Sequence, residues 1–385
     1  MYTILMLPLV INAIYGLKFP GRDRFTSMIL LFVIFGVAML RYGIGADWFG
    51  YNWIYYMIGI DNWHNVIFDP NSHGELLFRI IAKIFNEFAL SFCAFMAFFA
   101  FLTGLIYFNF LRKVKDYRGC YILYVYCFYY FMYINSGIRG GLVLAMTSCL
   151  IIPSFLEKKW IKFFFYFLIA CGFHKSSLVL ILLLIINSKI YLKYKFLLFC
   201  IVIIYCLYVI VFGFDFISSN FINNFVVYKS TGMFWQSFVF RIIIFCFIFF
   251  MYKNSTYINK NIKILFQIYL LSILVYFLLV NNEFLSSRLA IYFKSVEMFL
   301  LPYLLTHQKR IKANFVYLVT FLFYFVGYGL YGIYAQGTLS GYYNNDILRH
   351  QYCSIFNKKD LINLRVRGSK ALEEIDIIRK REIFQ

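Results

Sequence analysis

The chain has 385 residues, of which 63% are hydrophobic and only 14% charged, against roughly 25% charged residues in an ordinary soluble domain. That composition excludes a water-soluble globule. The formal net charge of +20 would suit a nucleic-acid binder, but the charge sits in short connections between apolar runs, and no separate basic face with interleaved stacking residues is set aside for nucleic acid.

Stretches such as 88–110, 262–280 and 314–334 are apolar throughout and reach the ~20 helical residues that a hydrocarbon core of ~30 Å requires. Strand alternation is absent, so the backbone must satisfy itself as helix. The sequence therefore predicts an all-α polytopic membrane protein of about twelve transmembrane helices. In chain order they fall near 2–17, 26–42, 89–110, 119–135, 139–156, 161–173, 176–188, 196–213, 235–252, 262–281, 288–306 and 313–334. Met1–Leu17 lacks a basic leader and a small-residue cleavage site, and so reads as a first helix rather than a signal peptide.

Between the second and third spans, Gly74–Phe88 carries Glu75, Arg79, Lys83 and Glu87. Counting it as a span would throw the next basic cluster to the wrong side. It is expected as an amphipathic helix at the outer interface, within the first large outer loop. Basic clusters at Lys18/Arg22/Arg24, Arg112/Lys113/Lys115/Arg118, Lys158/Lys159/Lys162, Lys189/Lys193/Lys195, Lys253/Lys260/Lys263 and Lys309/Arg310/Lys312 recur after every second hydrophobic segment. That is the positive-inside pattern, and contact with membrane lipid headgroups accounts for it. The transmembrane domain is expected over 1–334. A tail over 335–385 holds nine basic residues and a short amphipathic helix over 370–384 with Ser369 as N-cap; helix parity puts the tail outside. The nine cysteines include Cys93, Cys149, Cys200 and Cys246 within apolar runs, and none forms a CxxC pair. They read as small buried hydrophobes rather than metal ligands or a disulfide framework.

With the topological clusters set aside, the remaining charged residues gather on one face. Arg41 and Asp47 lie where the second span emerges, and Glu75 opens the interfacial helix. Arg139 sits in Asn135-Ser-Gly-Ile-Arg139-Gly-Gly141, His174 in Gly172-Phe-His174-Lys-Ser-Ser177, and Arg288 is followed one turn later by Tyr292. A single arginine at a helix end ordinarily snorkels to headgroups. Several ionisable groups at one depth instead mark a pathway or a ligand. Guanidinium groups suit a diphosphate, which their fork of donors grips, and a histidine with nearby carboxylates supplies a proton acceptor. Asp47, Asp61, Asp69 and Glu75 share a loop without recognisable metal-ligand spacing, and no nucleotide-binding loop occurs in context. No metal and no cofactor is expected.

The ordered set Arg41-Tyr-Gly-Ile-Gly-Ala-Asp47 with Tyr51, Ile138-Arg139-Gly140, His174-Lys175-Ser176-Ser177 and Arg288-x-x-x-Tyr292 resembles the EpsG family, and more broadly the Wzy-type polymerases of bacterial surface polysaccharides. Two positions depart from the family pattern: Gly140 stands where Gln is usual, and Lys175 where an aromatic or small residue often follows the His. The resemblance implies a glycosyltransferase-type polymerase at the outer face of the bacterial cytoplasmic membrane. It would join oligosaccharide repeat units linked to undecaprenyl diphosphate, with a chain-length regulator as a candidate partner. Arg139 and Arg288 would bind the diphosphate, with Arg41 as a third cation or as the partner that orients Asp47. Tyr292 would bond sugar or phosphate. His174 is the first choice of base, with Asp47 and Glu75 behind it. Two rival readings are a flippase of lipid-linked oligosaccharide, suggested by Arg241, Lys294 and Glu297 within spans, and a glycan ligase.

Overall fold

A computed structural model of the chain describes residues 2–69, 74–186, 201, 204, 235–309, 311–339, 352–363, 373, 376, 377 and 380. The span expected over 196–213 and the tail helix over 370–384 with its Ser369 cap lie almost wholly or wholly outside the described residues or are described only at isolated positions. The chain is an all-α polytopic membrane protein. It divides into two compact units, one of Met1–Leu150, Leu168–Lys175 and Leu318–Gln385, the other of Ile151–Phe167 and Ser176–Tyr317.

In the first unit, α1 (Tyr2–Lys18) and α2 (Arg24–Leu40) form a hairpin. The connection between α2 and the next long helix is itself helical: α3 (Trp48–Ile60), α4 (Trp63–Phe68) and α5 (Leu76–Glu87). Then follow α6 (Phe92–Lys113) and α7 (Arg118–Tyr124), which continues over Val125–Ile134 as a π-helix. The wide turns persist to its end, where Asn135 N–H reaches Tyr130 O and Gly137 N–H reaches Met132 O, each five residues back. Helix α8 spans Ile138–Leu156 and α9 Trp160–Phe173. Helix α10, Lys175–Ile186, opens as a 3₁₀ helix over Lys175–Leu182. Beyond these lie α11 (Trp235–Lys253) and α12 (Lys260–Leu278). They are followed by α13 (Glu283–Lys294) and α14 (Glu297–Thr306), bent by 54° at their junction. Last come α15 (Ile311–Leu339) and the single turn α16 (Asp360–Asn363).

Among the described residues five helices are long and apolar enough to cross a membrane, α6, α8, α11, α12 and α15, or six if the bent pair α13–α14 is one span. Helices α1, α2, α9 and α10 are apolar but shorter; 17 residues at 1.5 Å each give α1 and α2 ~25 Å. This is the observed inventory against the twelve spans expected.

A helix, α5, forms where the amphipathic one was expected, but its polar side faces inward. Arg79 Nη1 donates to Asp69 O (2.8 Å), Lys83 Nζ to Gly59 O (3.1 Å) and Asn86 Nδ2 to Tyr55 O (3.0 Å), while Leu76, Ile84 and Phe88 are exposed. The physical reason is the carbonyl ends of α3 and α4. Short helices leave their last carbonyls unsatisfied, and cations there answer both the hydrogen-bond need and the negative end of the helix dipole.

The two ends of the α2 hairpin carry different chemistry. At the Asp23 end, Asp23 Oδ2 accepts Gly119 N–H (2.7 Å), and Arg118 donates to Leu111 O (2.9 Å), Lys115 O (2.7 Å) and Val114 O. Basic residues Lys18, Arg22, Arg112, Lys113 and Lys115 flank this end. At the opposite end, Arg41-Tyr-Gly-Ile-Gly-Ala-Asp47 turns the chain from α2 into α3. Gly45 has φ +120°, and a Cβ there would collide with the Asn135 carbonyl. Only glycine permits that backbone contact. The next residue fixes it, with Ala46 N–H donating to Ser136 Oγ at 2.9 Å.

Candidate functional site

Glu75, Arg139 and His174 meet at this end of the first unit. Each arrives by a local feature of its own chain. Glu75 is the N-cap residue of α5 and follows Gly74, whose φ is +99°. Arg139 stands in the first turn of α8, immediately after the turn that the π-helix delivers. His174 caps the end of α9, its N–H bonded to Ala170 O at 2.9 Å. Two residues earlier a Cβ on Gly172 would strike Leu77 of α5, so glycine there lets the end of α9 close on α5 and brings His174 beside Glu75.

Glu75 holds both partners. Its Oε2 accepts from Arg139 Nη1, its Oε1 lies 3.1 Å from His174 Nδ1, and the same Oε1 accepts Lys175 N–H at 3.1 Å. Arg139 Nε also donates to the Tyr51 hydroxyl at 3.3 Å, and the guanidinium lies 5.4 Å and 5.1 Å from the ring centres of Tyr51 and Phe78. That aromatic seat fixes the plane of the cation. The side chains of Glu75, Arg139 and His174 are 12%, 20% and 22% exposed. The group is thus packed at its back and open at its edge.

Burial pushes the Glu75 carboxyl toward protonation, but the His174 hydrogen bond, the Arg139 charge and the Lys175 N–H outweigh it and hold its pKa at about 2. An ionised Glu75 is an acceptor only, so the proton between it and His174 belongs to Nδ1. Whenever the imidazole is neutral, that arrangement puts its lone pair on Nε2, as in histidines that a carboxylate orients for base catalysis. Among the described residues no three His, Cys, Asp or Glu side chains gather as a metal-ligand cluster.

The other sequence candidates are placed as follows. Asp47 precedes α3, its Oδ2 3.8 Å from where a Gly137 Cβ would stand, which sets it against the turn that leads to Arg139. Arg41 is 1% exposed, donates from Nη1 to Ala38 O at 2.7 Å and lies 5.6 Å from the Trp48 ring centre. In the second unit, Arg288 of α13 stacks on Phe284, with Cζ 3.6 Å from the ring centre. One turn on, Tyr292 is 2% exposed and its hydroxyl lies 2.8 Å from Ser176 Oγ. The structure therefore brings Glu75, Arg139 and His174 together and sets Asp47 close by. Phe78 and the Lys175 N–H are contributors that the sequence reading passed over. The first looked like one more apolar residue of α5, and a backbone N–H leaves no mark in a sequence.

A profile of the EpsG family matches residues 24–347. No curated protein and no solved structure matches the chain.

Proposed function

The chain belongs to the EpsG family, a family of Wzy-like polysaccharide polymerases and exopolysaccharide biosynthesis proteins, and from that premise we propose that it joins lipid-diphosphate-linked oligosaccharide repeat units at the outer face of the bacterial cytoplasmic membrane. One observation carries the reading: a single carboxylate, Glu75, is bonded to both Arg139 and His174, so that a fixed cation and an oriented imidazole stand on one carboxylate, each partly exposed. The basic clusters at the Asp23 end support an inward placement of that end by the positive-inside rule, which leaves the Glu75 group outside.

In the proposed reaction a sugar hydroxyl of one lipid-linked unit attacks the anomeric carbon of a growing chain on undecaprenyl diphosphate. The bond from that carbon to the diphosphate oxygen breaks, and the electron pair leaves with the diphosphate. His174 Nε2 takes the hydroxyl proton. Glu75 orients the imidazole through Nδ1 and stabilises the imidazolium as it forms; with its carboxyl held at about 2 it is a poor base itself. The group then changes charge when it matters. Before transfer, Glu75 and Arg139 neutralise each other; once His174 is protonated the three carry one net positive charge beside a diphosphate gaining negative charge. Stabilisation that grows toward the transition state is what accelerates a reaction. The diphosphate is already a good leaving group, so no nucleotide is consumed.

Asp47 is proposed as the second choice of base. Arg288 and Tyr292 of the second unit are proposed as substrate contacts in their own right, and Arg41, buried and bonded to its own helix, as part of the frame. The test is direct. Purified protein incubated with lipid-linked repeat units, without nucleotide or metal, should produce a ladder of products spaced by one repeat. A flippase would yield none, and a ligase would transfer preformed polymer to a separate acceptor without a ladder. Either result sinks the proposal.

A further inference from the structure

The basic tail returns to the end of the unit where the Glu75 group lies. Residues 352–355 run antiparallel to 40–42: Tyr42 N–H donates to Cys353 O (2.9 Å), Ile355 N–H donates to Leu40 O (2.9 Å), and Arg41 and Ser354 form the bridge between them. The Tyr352 hydroxyl donates to Val37 O at 2.7 Å. These bonds answer carbonyls that the C-terminal turn of α2 would otherwise leave without partners. The segment then closes on itself, with Ser354 N–H donating to Asn357 Oδ1 at 2.9 Å. It ends in Leu361, wholly buried, whose Cδ atoms lie over the bare backbone of Gly43, while Lys358 Nζ sits 5.1 Å above the Tyr42 ring. Cys353 is also fully buried.

We infer that residues 352–361 are a strap that positions Arg139, acting through the Arg41–Asp47 turn, and that Leu361 is its principal positioning residue. The strap grips residues 37–43. Two residues further on, Gly45 rests on the Asn135 carbonyl and Ala46 N–H holds Ser136 Oγ. Asn135 and Ser136 open the turn into α8, whose second residue is Arg139. Tyr51, on the helix that follows Asp47, takes the other side of the same guanidinium. The strap therefore sets both the turn that carries Arg139 and the helix that seats it. A loosened strap would displace the cation without removing any group that touches substrate, and displacement of about 1 Å costs up to two orders of magnitude in rate. The kinetic part of this inference rests on the polymerase reading; the placement of the strap does not.

Three measurements on the full-length protein test it. In a background without reactive thiols, a Phe356→Cys strap should react with a membrane-impermeant maleimide from the same side of sealed membranes as Phe88→Cys beside α5, and from the opposite side to Lys115→Cys. Labelling of Phe356→Cys from the Lys115 side overturns the strap. Ser136→Cys, buried under the turn, should be labelled about tenfold faster when Leu361→Ala is added, because the local opening becomes easier; an unchanged rate overturns the transmission. Finally, Leu361→Ala should lower kcat for elongation about tenfold with KM for the lipid-linked unit within about twofold, and Leu361→Met should restore it. A kcat that stays at the wild-type value, or a loss that merely tracks loss of folded protein, overturns the positioning role. A wild-type protein that elongates nothing would remove the polymerase reading, and the two labelling results would still decide the strap.

Discussion

At the Asp23 end of the first unit, Arg118 and Asp23 form a pair whose side chains are 6% and 0% exposed, and each is occupied with backbone: Arg118 with three carbonyls, Asp23 with the Gly119 N–H. At the other end, Arg139 and Glu75 form a pair that is 20% and 12% exposed and bonded to a histidine and a tyrosine. Burial dominates at Asp23 and raises its pKa against the pull of Gly119 and Arg118. At Glu75 burial is overcome, and its pKa falls to about 2. The same two side-chain types thus make a clamp in one place and a charged, accessible group in the other. The distinction lies in what else they bond. An arginine spent on carbonyls has no directional capacity left for a ligand, whereas one seated between rings beside an oriented imidazole is held for something that arrives.

The largest expected effects test that distinction head-on. His174→Ala and Arg139→Ala should each lower elongation per folded molecule by at least ~10²-fold, the range for loss of a positioned base or of a charge-stabilising donor, well beyond any fall in abundance or melting temperature from the weakened hold on Glu75. Arg118→Ala should do the reverse. It takes the donors from three carbonyls, each of which costs about 1–3 kcal/mol when left buried and unanswered, a loss read as low abundance and early melting with normal turnover per folded molecule. If Arg118→Ala lowered turnover while Arg139→Ala lowered only abundance, the two ends would have been assigned the wrong way round.

Next in size is the turn that joins the site to α2. Gly45→Ala forces a Cβ onto the Asn135 carbonyl at a φ of +120°, at a cost of about 1–3 kcal/mol. Thermal melting in detergent should fall accordingly, and elongation should fall with it, because the Ala46–Ser136 bond is lost. Glu75→Gln is gentler and more informative. The amide can still meet His174 but no longer stabilises the imidazolium as it forms, so the maximum elongation rate should drop while His174 stays in place. Stability has its own sign. A carboxyl whose folded pKa lies at about 2, below its ordinary 4.5, contributes fully above about pH 4.5 and loses that contribution as pH falls toward 2. Glu75→Gln should therefore abolish that part of the acid destabilisation seen in the wild type.

The helical class and the membrane setting were legible from composition and run length, because a bilayer imposes both. Arg139 and His174 were legible as candidates because both sit in glycine-containing turns, and Arg139 also as an arginine that runs against the expected topological bias. Glu75 was legible as a candidate but not in its role. Its tie to Arg139 spans 64 positions and its tie to His174 spans 99, and nothing local announces that α5 will deliver it there. The inward polar face of α5 was missed because an amphipathic pattern states that one side is polar but not whether water or helix ends will meet it; Arg79 and Lys83 found carbonyls. The sequence sets the tail apart as a basic appendage beyond a domain ending at 334. Its docking rests on main-chain bonds from Tyr42 to Cys353 and from Ile355 to Leu40, which any side chain would allow and no residue pattern reveals.

The smallest expected effect asks whether the charge of Asp23 matters at all. Its ionised form is disfavoured by burial, and what the fold needs from it is an acceptor for the Gly119 N–H. Asp23→Asn keeps such an acceptor and drops a buried charge, so its melting temperature should lie within a few degrees of wild type, a change of about 1 kcal/mol or less. Asp23→Ala leaves the Gly119 N–H buried and unanswered, which costs about 1–3 kcal/mol, and should melt clearly lower. Turnover per folded molecule should be unchanged in both. A Glu75→Gln variant treated the same way should differ in kind, losing turnover per folded molecule as well as the carboxylate's contribution to melting at neutral pH. Equal behaviour of the two amides would mean that the ends of the unit are both clamps, and that the imidazole at one of them is incidental.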